Sequence, residues 1–124
     1  MYRFTVKVER SDRLRADDVV VRSTLDRTQK LALGTEEDIV VGPNDVTVIR
    51  NEAKDETARL VMRGLKMDQD GFVVCQPSRQ QHFKLWHGRS IDVELGAGES
   101  MVIRSGVARD PYTRTLPDQI NGRL

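Results

Sequence analysis

From Tyr2 to Glu9 the chain alternates apolar and polar residues, with Tyr2, Phe4, Val6 and Val8 separated by Arg3, Thr5, Lys7 and Glu9. A period of two places the four apolar side chains on one face of a strand. Runs of this kind recur and predict strands at Tyr2–Arg10, Asp18–Asp26, Gln29–Leu33, Ile39–Val41, Val46–Arg50, Ala58–Arg63, Gly71–Gln76, His82–Trp86, Ser90–Leu95 and Ser100–Arg104. Between them lie turn sequences such as Gly42-Pro43-Asn44-Asp45, Asp68-Gln69-Asp70-Gly71 and Gly96-Ala97-Gly98. About eight to ten short strands at this spacing predict an all-β, mainly antiparallel chain folded as a β-sandwich or small barrel. The most regular unit is Ser90–Ser105, in which two alternating runs flank Gly96-Ala97-Gly98-Glu99 and read as a β-hairpin.

One segment supports two readings. Ala53, Thr57, Leu60, Val61, Gly64 and Leu65 fall at helical spacing behind Asn51, a good N-cap residue, which suits a helix over 52–66. Alternatively, Arg59–Arg63 forms a strand that pairs with Val46–Arg50 across a polar loop at Lys54-Asp55-Glu56. The hairpin is the favoured reading, and the helix stays open. No long internal repeat and no low-complexity tract stands out.

Residues 1–104 form the expected β domain, and residues 105–124 differ from it. Gly106, Pro111, Pro117 and Gly122 interrupt every run there, and only scattered apolar residues remain. Ordering an irregular tail costs roughly 1–2 kcal/mol per residue in backbone entropy, so it needs packing partners. The expectation is a tail held by a partner subunit or folded over its own domain.

Composition then removes whole classes of function. The 124 residues carry 20 Lys plus Arg against 19 Asp plus Glu, a net charge of +1, so no overall field draws the chain to nucleic acid or to an anionic membrane. The longest apolar runs are three residues, too short for a transmembrane helix, and the first residues carry no signal-peptide pattern. Cytoplasmic synthesis is expected. Cys75 is the single cysteine, which excludes an internal disulfide and a cysteine-based zinc site and reads as a small buried hydrophobe. His82 and His87 are five apart and face opposite ways on a strand, so they do not converge on a metal or an acid/base pair. Glu36-Glu37-Asp38 and Asp17-Asp18 read as solvated turn faces, and Gly96-Ala97-Gly98 as a turn rather than a phosphate cradle. No catalytic residue, metal or cofactor is expected, and the chain reads as non-enzymatic.

The remaining candidates are contact residues. Arg79–Arg89 mixes cations with Phe83 and Trp86, and Trp and Arg are enriched at protein-binding hot spots. Trp86 and Arg89 are therefore expected to bind a partner, together with Arg109, Tyr112, Arg114, Leu116 and Ile120 from the tail. The expected partners are protein subunits of a larger assembly, as a homo-oligomer or a capsid-like lattice. A virion decoration, cement or tail component is the concrete form of that expectation.

From Lys30 to Arg104 the order of features resembles a forkhead-associated (FHA) β-sandwich. The similarity rests on Leu31-Ala32-Leu33-Gly34 followed by Asp38-Ile39-Val40-Val41, on Trp86-His87-Gly88-Arg89, and on the final Leu95-Gly-Ala-Gly-Glu-Ser-Met-Val-Ile segment. That family binds phosphothreonine through an Arg after the first glycine and a later Ser-x-x-His. Here Thr35 follows Gly34 and Pro43–Asn51 holds no Ser-x-x-His, so the resemblance implies the scaffold without the phosphate clamp. The alternative function it implies is a peptide- or phosphopeptide-binding module using loop arginines such as Arg50. The Gly-x-Gly-Glu-Ser turn is also similar to turns in cupins, whose metal ligands this chain lacks, and in accessory β-sandwiches of phage capsids and tails.

Overall fold

The alternating runs become ten strands: β1 (Tyr2–Arg10), β2 (Val19–Ser23), β3 (Thr28–Leu31), β4 (Glu36–Val41), β5 (Val46–Asn51), β6 (Ala58–Lys66), β7 (Phe72–Gln76), β8 (Gln81–Leu85), β9 (Ser90–Leu95) and β10 (Ser100–Ser105). They are seen in a computed structural model that describes residues 2–10, 17–23, 28–42, 45–66 and 71–105. The strands form two antiparallel sheets, one of order β4-β1-β6-β9 and one of order β3-β2-β5-β10-β7-β8. Inward positions of both sheets bury Phe4, Val6, Leu60 and Met62 against Ile49, Phe72, Met101 and Ile103. The Phe4 and Phe72 rings meet edge to face, 5.2 Å between centroids. Cys75 is buried, as expected, although it stands outside the main core cluster.

The pairing registers reveal an internal duplication that the sequence alone does not announce. Replacing β1–β5 by β6–β10 carries each ladder onto another. Tyr2↔Val41 and Lys7↔Glu36 of β1–β4 become Ala58↔Leu95 and Arg63↔Ser90 of β6–β9. Val19↔Leu31 and Arg22↔Thr28 of β2–β3 become Phe72↔Leu85 and Cys75↔His82 of β7–β8. Val21↔Ile49 becomes Val74↔Ile103, and the isolated parallel bridge Val8↔Leu33 becomes Gly64↔His87. The β1–β6 and β5–β10 ladders map onto themselves, so a pseudo-twofold axis runs through Val6↔Met62 in one sheet and Val48↔Val102 in the other. Turns follow the same rule: Gly34 donates to Val8 O as Gly88 donates to Gly64 O, and Thr35 to Ala32 O as Arg89 to Trp86 O.

Two expected hairpins prove to be crossings between the sheets. β9 pairs with β6, whereas β10 pairs with β5 and β7, so Gly96–Glu99 is an arch across the sandwich. Leu95 and Met101 both point into the core, which a flat hairpin between these strands would not allow. The 58–66 segment is a strand and not a helix, yet it pairs with β1 and β9 rather than with β5. Ala53, placed by the hairpin reading at the edge of a polar loop, is instead buried inside the arch from Asn51 to Ala58.

Asn51 explains why both crossings occur at the same level. Its fully buried side chain donates from Nδ2 to Glu56 O (2.7 Å) and Leu95 O (3.0 Å), and its Oδ1 accepts from the Ala53 N–H (3.0 Å). Its main chain donates to Glu99 O and accepts from the Gly98 N–H. One carboxamide thus bonds backbone groups at both arches. The second arch is closed from outside by Glu99, whose carboxylate accepts from Gly96 N–H (2.6 Å), Ser78 Oγ (2.6 Å) and Arg79. Asp45 does the same for Gly42 in the equivalent loop of the first half.

Replacing Asn51 by Ala strands the Leu95 and Glu56 carbonyls and the Ala53 N–H in the interior. Stability should fall by about 2–4 kcal/mol, measured by urea unfolding, because each buried orphan costs about 1–3 kcal/mol. Hydrogen bonds from Ser78 and the Gly96 N–H, with Arg79 beside them, hold the Glu99 carboxyl below its ordinary value of 4.5. A carboxyl depressed in the folded state adds stability above that ordinary value, and the contribution fades as pH falls through the lower folded one. The unfolding midpoint of the native protein should therefore drop below about pH 4.5, and Glu99→Gln should flatten that drop while lowering the midpoint at neutral pH.

Candidate functional site

The two halves share a backbone plan and differ in how they fill it. In the first half a cavity of about 150 Å³ opens between the edge strands β4 and β3. Val21, Ile39 and Val40 supply its apolar wall, and Ser23, Gln29, Asp38 and Thr47 its polar one. Alternation produces this lining: Ser23 continues the inward row of Val19 and Val21, and Thr47 shares the inward row of Ile49 and Asn51. Thr47 is fully buried, and neither its Oγ1 nor the buried Ser23 Oγ has a hydrogen-bond partner among the described residues. At the rim Gln29 Nε2 donates to Glu37 Oε1 at 3.1 Å, tying the two edges together.

The second half shows what a closed version looks like. The registers place Gln76 where the first half has Ser23, Met101 where it has Thr47, Phe83 where it has Gln29, and Ile91 where it has Glu37. Met101 is fully buried, and Phe83 and Ile91 pack on the core. Gln76 reaches across the sandwich and donates from Nε2 to Glu94 O on the edge strand β9 (2.8 Å). The residue equivalent to Glu94 is Val40, whose carbonyl receives no such side chain from the described residues. Four changes of residue, at positions with the same backbone role, leave one end of the sandwich plugged and the other hollow.

The rim of the hollow end is acidic. Glu36, Glu37 and Asp38, expected on a turn, belong to the edge strand β4, whose outward positions are Glu36, Asp38 and Val40. Val40 is 49% exposed, the most exposed large aliphatic side chain among the described residues. A hollow of this volume suits a single side chain; pockets for drug-sized ligands run from about 300 to 1,000 Å³. The arrangement can receive one polar side chain between the sheets while a strand lies along β4.

Trp86 and Arg89 are brought together on the turn between β8 and β9, where Arg89 N–H donates to Trp86 O and Lys84 Nζ sits 5.2 Å from the indole centroid. Trp86 is 40% exposed. The other expected contact residues, Arg109, Tyr112, Arg114, Leu116 and Ile120, lie outside the described residues, as does the rest of the tail beyond Ser105. Arg50 stands on strand β5 and not in a loop. The two glycine motifs behind the FHA resemblance fall on equivalent turns of the two halves, and the Thr35 hydroxyl is engaged by Ala32 O. Sequence reading missed Ser23 and Thr47, although each is a polar residue on an inward row of apolar ones.

Among the described residues no group of three or more His, Cys, Asp or Glu side chains is placed to hold a metal. No helix there is long and apolar enough to cross a membrane. Comparison of the chain with protein-family models, curated proteins and solved structures returns no match.

The closed half supplies a test of the open one. The double variant Ser23→Gln, Thr47→Met copies the plug and should raise stability by about 1–2 kcal/mol, since filling a cavity and pairing buried polar atoms both act in that direction. Denaturant unfolding reads the result; a loss of stability would show that the hollow is already filled in solution.

Proposed function

We propose that this chain is a non-catalytic interaction subunit that joins neighbouring copies into a larger assembly through the open edge of its sandwich. The observation that carries the reading is the contrast between β4 and β9. The edge of β9 turns Glu94 outward and has its carbonyl capped by Gln76, two devices that discourage strand addition. The equivalent place on β4 carries exposed Val40 above an unplugged hollow.

The charges on β4 constrain what it accepts. Pairing with β4 of another copy, centred on Asp38, would oppose the two aspartates, and like charges directly across a ladder are destabilising. The reading takes the strand that adds to β4 to be a different one, giving a head-to-tail contact that can build rings or lattices. A virion decoration, cement or tail component is the concrete form of such a subunit, supported by the likeness of its Gly-x-Gly-Glu-Ser turn to those of accessory phage sandwiches.

Light scattering on the full chain across a concentration series tests the reading. The native protein should exceed monomer mass, and Val40→Lys should weaken association at least about tenfold, since it replaces an apolar contact at a strand edge by a charge. A native protein that stays monomeric throughout would overturn it.

A further inference from the structure

A strand that lies along β4 must come from a sheet edge, and the two sheets have three other edge strands to offer from a second copy: β9, β3 and β8. We infer that the strand is β8, so that Gln81–Leu85 of one copy adds to Glu36–Val41 of the next with Lys84 opposite Asp38; this rests on the assembly reading above.

Charge sorts the candidates. β4 turns Glu36 and Asp38 outward, and both are exposed. β9 turns Asp92 and Glu94 outward and would set acid against acid. β3 turns Lys30 outward, but the register that sets Lys30 opposite Asp38 lays Gln29 against Ile39, and Gln29 is already bonded to Glu37 of its own chain. β8 closes the far end of the six-stranded sheet, with Lys84 outward and exposed and with Phe83 and Leu85 turned in. The outer face of that sheet has one sign throughout. The registers align Arg22, Lys30, Arg50, Lys84 and Arg104 on its outward positions, and among the described residues its strands hold no acid there. A chain with a net charge of only +1 thus carries a cationic face that ends at β8 and an acidic edge at β4. Complementary potentials of this kind steer unlike surfaces together and fix their register.

One register suits both faces of the ladder. With β8 antiparallel to β4 and Lys84 opposite Asp38, Phe83 stands opposite Ile39. Lys84 and Asp38 share the outer face, where the lysine stem also reaches the exposed Val40 on the diagonal. Phe83 and Ile39 share the inner face, so the partly buried ring meets an apolar neighbour where Asp38, Ile39 and Val40 border the hollow. Trp86, over whose ring Lys84 sits, continues the outer contact toward Glu36. Sliding β8 by two residues sets either Phe83 against Glu37 or Lys84 against Val40, and both lose a matched pair. Main-chain bonds supply affinity in strand addition, and these side-chain pairs supply the choice of partner.

A charge swap in the full-length protein tests the assignment, read by light scattering across a concentration series together with amide exchange at residues 36–41 and 81–85. Association should protect both strands together. Lys84→Glu and Asp38→Lys should each weaken it about tenfold, and the Asp38→Lys, Lys84→Glu double variant should recover most of the loss, because the pair re-forms with its ends exchanged. Both side chains are exposed, so neither change reaches the core. Loss in each single variant without recovery in the double overturns the pairing of Lys84 with Asp38. An oligomer weakened by Val40→Lys but indifferent to Lys84→Glu overturns β8 as the added strand and leaves an assembly through β4 by another, which is β3 if Lys30→Glu disrupts it instead. A protein that stays monomeric throughout overturns the assembly reading and this assignment with it.

Discussion

The carboxamide of Asn51 is the constraint on which the architecture depends. A sandwich whose strands keep changing sheet must carry backbone across its interior at each change, and peptide groups in such crossings have no ladder to join. Two crossings meet at Asn51, and its side chain uses its amide hydrogens and its oxygen on groups from both. Because its own N–H and C=O bond to Glu99 and Gly98, the end of β5 and the start of β10 are fixed relative to each other. The β5–β10 ladder, in turn, joins the two halves of the six-stranded sheet. Ser105 stands at the equivalent position of the second half. The pseudo-symmetry is thus broken at its own keystone, with the carboxamide supplied from one half alone.

Duplication gives this chain two copies of one structural problem, how to finish the open end of a sandwich, and the chain answers it twice. Phe83, Ile91, Met101 and Gln76 finish one end with apolar packing and a single amide. Gln29, Glu37, Thr47 and Ser23 leave the other polar and hollow. Because backbone roles are matched, the difference lies in side chains and not in topology. A pseudo-symmetric scaffold with asymmetric ends has a direction.

The strands were legible in the sequence because alternation is enforced by burial on one face, and that signal is local. Tyr2–Glu9 and Ser90–Leu95 show it plainly. Which strand pairs with which was not legible, because an arch and a hairpin use the same turn residues; Gly96-Ala97-Gly98-Glu99 fits either until Asn51 is placed beside it. The helical spacing of Ala53 to Leu65 has a similar origin, since an arch residue and a strand's inward row can mimic a helix face. The duplication hid for a different reason. Leu31, Gly34, Asp38, Gly42, Val48, Ile49 and Arg50 recur as Leu85, Gly88, Asp92, Gly96, Val102, Ile103 and Arg104 at constant spacing, but β1 to β6 and β2 to β7 run at other spacings. A repeat with slipped segments and exchanged core residues is visible in hydrogen-bond registers long before it is visible in letters.

The same comparison separates the part of the sequence that builds the fold from the part that is free to serve function. Residues identical in both halves do a job both halves need. Gly34 and Gly88 both take positive φ at the turn from one sheet to the other, and Gly42 and Gly96 both donate an N–H to the carboxylate three residues on. Where the halves differ at a buried position, folding alone does not dictate the residue, since the partner half demonstrates another solution. Ser23 and Thr47 are such positions, and the choice made there is the costly one. A buried hydroxyl without a partner loses about 1–3 kcal/mol that an apolar side chain would not, and Met101 shows that the backbone tolerates an apolar side chain. Two such hydroxyls share one hollow in the first half, and it is there that the two ends of the sandwich differ most in chemistry.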